Sequence, residues 1–166
     1  NTRTIATWIQ TTDTNGTLIS WGANANGSRW TLILQNGKPR LDVGGGHVSG
    51  STALNDGNWR HVAVVFPSIG ANVTDAVLYV DGSPEIIASS APMAINTGSG
   101  EDLTIGSNAI TNDHYQGLID EIRLYAAELS SNDVAGLFLN GTMRFKTSDQ
   151  AAPPVVEVLQ VAPTSG

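Results

Sequence analysis

Short runs of alternating apolar and polar residues, separated by turn signals, recur along almost the whole chain. In residues 29–35 the sequence Arg-Trp-Thr-Leu-Ile-Leu-Gln places the tryptophan and both leucines on one face of an extended segment. Asn36-Gly37 follows directly, and this dipeptide is a strong signal for a two-residue hairpin turn. A period of two residues does not suit a helix, whose apolar face repeats every three or four residues. The pattern therefore predicts strands joined by tight turns.

Roughly ten runs of this kind follow one another at regular spacing. The run 59–66 is apolar on both faces, as expected for a central strand that is covered on both sides. The pattern predicts an all-β fold: a two-sheet antiparallel β-sandwich, arranged as a jelly roll. The expected strands cover residues 4–10, 17–21, 29–35, 41–43, 51–54, 59–66, 76–80, 85–89, 102–107 and 117–125.

One short helix is predicted near the C-terminus, directly after Leu129. Ser130 can cap it, because its hydroxyl can accept a hydrogen bond from the backbone of Asp133, whose side chain can reciprocate. An apolar stripe at helical spacing begins at Val134. We expect Gly141 to follow the end of this helix, and the helix to close one end of the sandwich.

The chain length of 166 residues allows one well-buried core and is short for two domains. We therefore expect one β-sandwich domain over residues 1–146. From Thr147 the composition changes to Ser, Gln, Ala and Pro, and Pro153-Pro154 precedes a valine-rich stretch. Residues 147–166 are predicted to be a Pro/Ser/Ala-rich linker that runs into the start of a following domain, or else a disordered chain end.

The charged and reactive side chains exclude several classes of function. Fifteen acidic residues against eight Lys and Arg give a net charge of -7, and the basic residues form no cluster in the sequence. Nucleic acid and membrane insertion are therefore not expected interactions. Cysteine is absent, which excludes thiolate catalysis and cysteine-ligated zinc. No predicted strand carries acidic residues two or four positions apart, as glycoside hydrolysis from one strand would require, so the sequence does not predict an enzyme.

Four ordered segments give the chain a resemblance to a known family. They are Thr-Ile-Ala-Thr-Trp-Ile at 4–9, Asp-Gly-Asn-Trp-Arg-His-Val-Ala at 56–63, Leu-Tyr-Val-Asp-Gly at 78–82 and Gly-Leu-Ile-Asp-Glu-Ile-Arg-Leu-Tyr at 117–125. Together they resemble the laminin-G-like domains of the concanavalin A-like lectin/glucanase superfamily, as found in bacterial surface and secreted proteins. The resemblance implies a jelly roll at an extracellular or cell-surface location, with neighbouring domains in the same chain. It also implies binding of a glycan or a surface protein, and in some members a structural calcium ion.

Members of this family usually begin with a further strand, and this chain starts too late to contain it. Either that strand is missing, which would leave an open sheet edge along residues 4–10, or the edge is built differently. An open edge presents unpaired backbone groups and would allow a second copy of the chain to pair there.

Asp120 is the most informative single residue. If residues 117–125 form a regular strand, Asp120 lies on the same apolar face as Ile122 and Leu124. A carboxylate on an apolar face needs backbone N–H groups, an arginine or a metal ion as its partner. The resemblance implies the metal, with Asp120 as a ligand of structural calcium, which prefers oxygen ligands. Protein groups alone are the alternative.

Two loops carry the candidate ligand-binding residues. The loop after Trp21 is rich in amides, and its Asn24 and Asn26 can hydrogen-bond a sugar or a polar peptide. The loop 108–116 offers an amide, a carboxylate, an imidazole and an aromatic ring. These side chains belong to Asn112, Asp113, His114 and Tyr115. The alternative for the loop 108–116 is an ordinary solvated loop, and the alternative for the loop after Trp21 is that the tryptophan caps the core.

Three functions remain open, in this order. The first is a non-catalytic binding or adhesion module of a multidomain extracellular protein, in which the two loops form a rim that binds a glycan or a surface protein. The second is a structural spacer with no ligand of its own. The more distant third is a polysaccharide-active enzyme, whose carboxylates would have to come from distant strands.

Overall fold

The computed structural model describes residues 2–98, 101–108 and 110–147, and its strands form two antiparallel sheets. The five-stranded sheet has the order β11-β1-β6-β7-β8, and the six-stranded sheet has the order β10-β2-β3-β4-β5-β9. The predicted two-sheet β-sandwich is confirmed. The strands are β1 (Arg3–Gln10), β2 (Gly16–Gly22), β3 (Arg29–Gln35), β4 (Lys38–Asp42), β5 (His47–Gly50), β6 (Arg60–Phe66), β7 (Val77–Val80), β8 (Ser83–Pro84), β9 (Ile87–Ala91), β10 (Glu101–Ile105) and β11 (Leu118–Tyr125). A 3₁₀ turn covers Val73–Asp75, and one helix, α1, covers Ser131–Thr147.

The hydrophobic core lies between the two sheets and confirms the alternation predicted for β3. Trp30, Leu32 and Leu34 of β3 are fully buried in it. They pack with inward-facing side chains of β6, including Val64 and Phe66. Each such side chain contributes about 1.5–3 kcal/mol by leaving water. The inward faces of both sheets are therefore fixed by the hydrophobic pattern.

Two hairpin turns have the conformation that their sequences predict. Asn36 and Gly37 have φ values of 53° and 74°, and Asp81 and Gly82 have φ values of 49° and 77°. Positive φ at both central residues gives the backbone twist that matches a two-residue hairpin, and Asn, Asp and Gly adopt it at little cost. The turns join β3 to β4 and β7 to β8.

Of the two alternatives for residues 4–10, the open edge is not present. β1 is hydrogen-bonded to β11 on one side and to β6 on the other. The ends of the two described sheets are instead β11, β8, β10 and β9. The structure thus favours the alternative in which the edge is built differently, with β11 paired along the side of β1 where an open edge would lie.

A predicted strand at residues 51–54 is also absent, and the strand β5 ends just before it. The hydroxyls of Ser51 and Thr52 each donate to Glu85 Oε1 at 3.0 Å. Leu54 is fully buried in the core. The alternation of this segment therefore belongs to a loop held against the sandwich.

The helix α1 packs on the outer face of the five-stranded sheet and does not close an end of the sandwich. Its Val134 is buried among Ala6, Ala63, Val65 and Tyr79, which face outward from β1, β6 and β7. These strands are apolar on both faces, so their outer face is stable only when another element buries it away from water. The location of α1 follows from that need.

The predicted cap of α1 is confirmed. The Asp133 N–H donates to Ser130 Oγ at 3.2 Å, and the Ser130 N–H donates to Asp133 Oδ2 at 3.0 Å. This reciprocal pair satisfies two backbone donors that the first turn of a helix leaves without partners. The start of α1 is therefore set by local sequence.

Gly141 does not end α1, which continues to Thr147. A methyl group at Gly141 would overlap the indole ring of Trp8. Trp8 is buried on the outer face of β1, and its ring stacks on Phe138 with centroids 5.6 Å apart. Glycine at this position allows the helix to approach the sheet closely. A glycine that permits close packing and a glycine that ends a helix give the same sequence signal, so the pattern did not separate them.

We expect Gly141→Ala to destabilise the protein by about 1–3 kcal/mol, because the added methyl overpacks against Trp8. Gly136→Ala makes the same change in the same helix, where no described atom outside that helix lies within 4 Å of the new methyl. This control should stabilise the protein by up to about 1 kcal/mol, since alanine favours helix more than glycine does. Urea denaturation measures both values. Equal effects of the two substitutions would contradict the close contact of α1 with Trp8.

His61 lies under α1 and is almost fully buried, at 2% exposure. Its ring lies 5.4 Å from that of Trp8 and 6.1 Å from that of Phe138, measured between centroids. Burial, and then the charge of Arg123, lowers the pKa of His61 from 6.5 to about 4. The imidazole is therefore neutral at pH 7, as its apolar surroundings require.

Stability should fall with acidification because of His61. Its pKa is lower in the folded chain than in the unfolded chain, so the unfolded chain takes up the proton first. The neutral His61 contributes about 3 kcal/mol to the free energy of unfolding. This contribution is fully present above the unfolded pKa of about 6.5 and is lost as the pH falls through 4. His61→Phe should remove this part of the pH dependence of stability, because phenylalanine does not titrate, while its ring keeps the contacts with Trp8 and Phe138. Urea denaturation of both proteins between pH 7 and pH 4 tests this, and parallel stability profiles would contradict it.

The predicted linker, 147–166, lies outside the described residues apart from Thr147, the last residue of α1. Within the described part of the chain, no helix is both long enough and apolar enough to cross a membrane.

Candidate binding surfaces

The two predicted rim loops lie at opposite ends of β2. The loop with Asn24 and Asn26 joins β2 to β3 at one end of that strand. The loop 108–116 reaches the other end, where Gly16 lies against the backbone of Tyr115. A strand of this length spans ~20 Å. The structure therefore does not bring the two sets of residues into one site.

Asn24 and Asn26 are both exposed at the first of these ends. Their loop is held by backbone hydrogen bonds: the Gly27 N–H donates to Gly44 O at 3.0 Å, and Gly27 O accepts from the Asn96 N–H at 2.8 Å. The amide side chains thus project from an ordered loop.

The loop 108–116 is organised by the buried side chain of Asn108. Its Oδ1 accepts from the Ile110 N–H at 2.9 Å and from the Thr111 N–H at 3.3 Å. The Asn108 N–H in turn donates to Asp113 O at 2.9 Å. These bonds close the loop on itself. Asn112, Asp113 and His114 are exposed, as are Thr111 and Gln116.

Tyr115 differs from its neighbours in that loop. It is half-buried and packs against the main core. Burial raises the pKa of its phenol to about 12. The ring therefore anchors the loop to the sandwich.

A polar pocket of about 500 Å³ lies just beyond this loop, and we call it the end pocket. It is formed by the end of β1, the turn before β6 and the start of β11. Gln10 Nε2 donates to Gly57 O at 2.8 Å, and Thr11 Oγ1 accepts from the Asp13 N–H at 2.9 Å. The lining residues are Gln10, Thr11, Thr12, Asp13, Gly57, Gln116 and Gly117.

A second cavity, of about 640 Å³, lies between the open edges of β10 and β11, and we call it the edge cleft. Arg3 crosses its base, with the guanidinium 4.5 Å from the ring centroid of Trp30 and Nη1 donating to Thr97 Oγ1 at 3.1 Å. Leu103 and Leu124 line its sides and are 44% and 47% exposed. The edge cleft is therefore more apolar than the end pocket.

Sequence reasoning missed a charged cluster on the outer face of the six-stranded sheet. Asp42 of β4 accepts from Arg29 Nη2 at 3.1 Å and from Arg40 Nη2 at 2.8 Å. We call these three residues the arginine cluster. The two arginines are eleven positions apart in the sequence. Only the β3–β4 pairing, in which Thr31 lies opposite Asp42, brings them together.

Asp120 does not share a face with Ile122 and Leu124, which point toward the core between the sheets, and this corrects the sequence prediction. Its partner on β1 is Trp8, whose side chain faces outward under α1. A β-bulge interrupts β11, since Ala6 pairs with Arg123 two residues before Trp8 pairs with Asp120. Glu121, inside the bulge, has a φ of 48°. The extra residue shifts the alternation, so a regular strand was the wrong assumption.

The donors around Asp120 do not fit the calcium expectation. Asp120 Oδ1 accepts from the Glu121 N–H at 2.7 Å, and the Glu121 carboxylate pairs with Arg123 at 3.0 Å. Within the described ranges, no three acidic or histidine side chains lie together as a metal site would require. Calcium usually takes six to eight oxygen ligands. A calcium ion at Asp120 therefore stays a prediction from the resemblance alone.

We expect calcium to leave the thermal stability of the chelated protein unchanged, because backbone and arginine groups already satisfy this region. Melting curves recorded with a chelator and with millimolar calcium test this directly. A rise in the melting temperature that Asp120→Asn abolishes would restore Asp120 as a ligand, since an ion that binds only the native state raises its stability.

A comparison with protein families matches residues 1–135 to the Concanavalin A-like lectin/glucanases superfamily. The chain belongs to this superfamily. A comparison with curated proteins found no match. The resemblance predicted from the four sequence segments is thus confirmed at the level of the family.

Several solved structures share the fold. Domains LG4-5 of the mouse laminin α1 chain are 22% identical, with a TM-score of 0.53 over 80% of this chain and 37% of that one. A candidate carbohydrate-binding protein from Bacteroides ovatus is 16% identical, with a TM-score of 0.59 over 81% of this chain and 40% of that one. Botulinum neurotoxin type C, whose cell entry depends on interaction with two ganglioside molecules, is 16% identical, with a TM-score of 0.56 over 84% of this chain and 35% of that one.

This superfamily member therefore spans less than half the length of the similar chains. At identities of 16–22%, the likeness concerns the fold. The function has to be argued from the surfaces of the sandwich itself.

Proposed function

We propose that this domain is a non-catalytic carbohydrate-binding module of a multidomain extracellular protein, and that it binds a glycan at the end pocket. The observation that carries the proposal is the lining of that pocket. Amide, hydroxyl and carboxylate side chains converge there from two segments of the chain that are distant in sequence. Saccharide hydroxyls both donate and accept, and these side chains supply partners of both kinds.

The floor of the end pocket is already ordered, which favours binding. Gln10 and Thr11 are held by hydrogen bonds to Gly57 O and Gln116 O respectively. Binding then requires little further loss of side-chain freedom. Asn112, Asp113 and His114 are exposed on the adjoining loop and would extend the contact surface for a longer chain of sugars.

The similar structures support a binding role without specifying its ligand. One is described as a candidate carbohydrate-binding protein, and the cell entry of another depends on interaction with gangliosides. The absence of a carboxylate pair in any predicted strand supports the non-catalytic part of the proposal.

A surface protein is the second candidate ligand, and the edge cleft favours it. Leu103 and Ile105 on β10, and Leu118 and Leu124 on β11, are between 44% and 57% exposed along two open sheet edges. Proteins with such edges bind extended peptides by adding a strand, with apolar side chains filling adjacent pockets.

A glycan array followed by calorimetric titration tests the proposal. We expect Asp13→Ala combined with Gln116→Ala to weaken the selected glycan at least tenfold, because each lost hydrogen bond removes on the order of 1 kcal/mol. Asn24→Ala combined with Asn26→Ala is the control, since it removes two polar side chains at the opposite end. That variant should bind as the wild type does.

Two results would contradict the glycan site. Silence of the wild type across the array would favour the structural spacer. Equal weakening by both double variants, with unchanged melting temperatures, would place the glycan elsewhere on the sandwich.

A further inference from the structure

We propose a second binding site, at the arginine cluster on the outer face of the six-stranded sheet, for the carboxylate or sulfate group of an acidic saccharide. It lies on a different surface from the end pocket. This proposal rests on the proposed function in one respect only: the anionic group is taken to belong to a saccharide.

The register of the sheet assembles this site from four strands. Arg40 of β4 lies opposite Ser49 of β5, and Ser49 lies opposite Ser89 of β9. His47 lies opposite Asp42 in the adjacent row. Directly paired residues of antiparallel strands share a face, so these side chains surround one patch.

Arg29 and Arg40 share a single carboxylate, that of Asp42, which leaves one positive charge in excess. A guanidinium carries five N–H donors, and the bonds to Asp42 use one nitrogen of each arginine. The side chains of Arg29 and Arg40 keep 20% and 17% of their surface exposed. Donors that remain can bind an oxyanion in the paired geometry that arginine favours.

Asp42 holds both arginines in place. Burial alone would raise the pKa of Asp42, but hydrogen bonds from Arg40 and from the Gly44 N–H lower it below its ordinary value. The Gly44 N–H donates to Asp42 Oδ1 at 2.9 Å. An ionised, anchored carboxylate orders two long side chains before a ligand arrives, which reduces the cost of binding.

The local charge is opposite to that of the whole chain. β3 and β4 carry Arg29, Lys38 and Arg40 against Asp42, three positive charges against one negative, whereas the chain has a net charge of -7. This concentration of positive charge has no role in the core, because the side chains lie on the outer face. It is the expected electrostatic complement of an anionic group.

Serine hydroxyls border the charged patch, and they are the reason for proposing that the anionic ligand is a saccharide. Ser89 is exposed and Ser49 is half-buried. They are placed to hydrogen-bond sugar hydroxyls next to an anion held by the arginines. A neutral sugar would leave the guanidinium donors without an ionic partner, so the site should discriminate strongly in favour of acidic sugars.

Calorimetry or NMR titration with glucuronic acid, glucose and inorganic sulfate tests the proposal at low salt. Glucuronic acid should bind at least tenfold more tightly than glucose, and more tightly than sulfate. Arg40→Gln should weaken glucuronic acid binding about tenfold or more, as expected for loss of a charge-assisted hydrogen bond. Asp42→Asn should strengthen binding several-fold, because it removes a negative charge while keeping a side-chain oxygen.

The opposite signs of those two effects separate an anion site from a structural role, which would weaken binding in both variants in proportion to lost stability. Arg123→Gln, on the other sheet, is the matched control and should leave glucuronic acid binding unchanged. Melting temperatures check folding, and Arg29→Gln replaces Arg40→Gln if that variant does not fold.

Three results would overturn the proposal: equal affinity for glucuronic acid and glucose, no saturable binding of glucuronic acid, or weaker binding by Asp42→Asn. Equal affinity for sulfate and glucuronic acid would show that the patch binds a free anion, and it would overturn the proposal that the ligand is a saccharide. The Asp13→Ala and Gln116→Ala double variant should retain glucuronic acid binding, so failure of the end pocket and failure of this site are distinguishable.

Discussion

The structure depends on central strands that are apolar on both faces. In β1, Ile5 and Ile9 face the core between the sheets, while Ala6 and Trp8 face outward. Such a strand is stable only between two apolar layers, because either face left in water would lose the free energy of burial. The six-stranded sheet supplies one layer and α1 supplies the other. The position of the helix is a consequence of the central strands.

The two sheets differ in what their outer faces are available for. The outer face of the five-stranded sheet is covered by α1, so the side chains on that face serve the packing of the helix. On the six-stranded sheet, β4 alternates Leu41, which is fully buried, with Arg40 and Asp42, which point away from the core. Charged residues are tolerated there because the guanidiniums neutralise the carboxylate at the surface of the sheet. The two proposed binding sites therefore lie on this face and at one end of the sandwich.

Sequence reasoning succeeded where the determining interactions are local. The hairpin at Asn36-Gly37 and the cap formed by Ser130 and Asp133 involve residues at most three positions apart, and both were predicted correctly. It failed at Asp120 and at Gly141. In those two cases the decisive partner was Trp8, more than a hundred residues away. Neither a bulge nor a close helix contact leaves a separate mark on the local pattern.

The sequence by itself determined the class of fold, most strand positions and the inward faces, because alternation and turn chemistry are properties of neighbouring residues. Only the tertiary structure decided which surfaces exist. It separated Asn24 from Asn112 by the length of β2, and it joined Arg29 to Arg40 across Asp42. These arrangements follow from strand order and register, which are set by packing between distant segments. A site on a sandwich is assembled by that packing, so its composition cannot be derived from any one stretch of the chain.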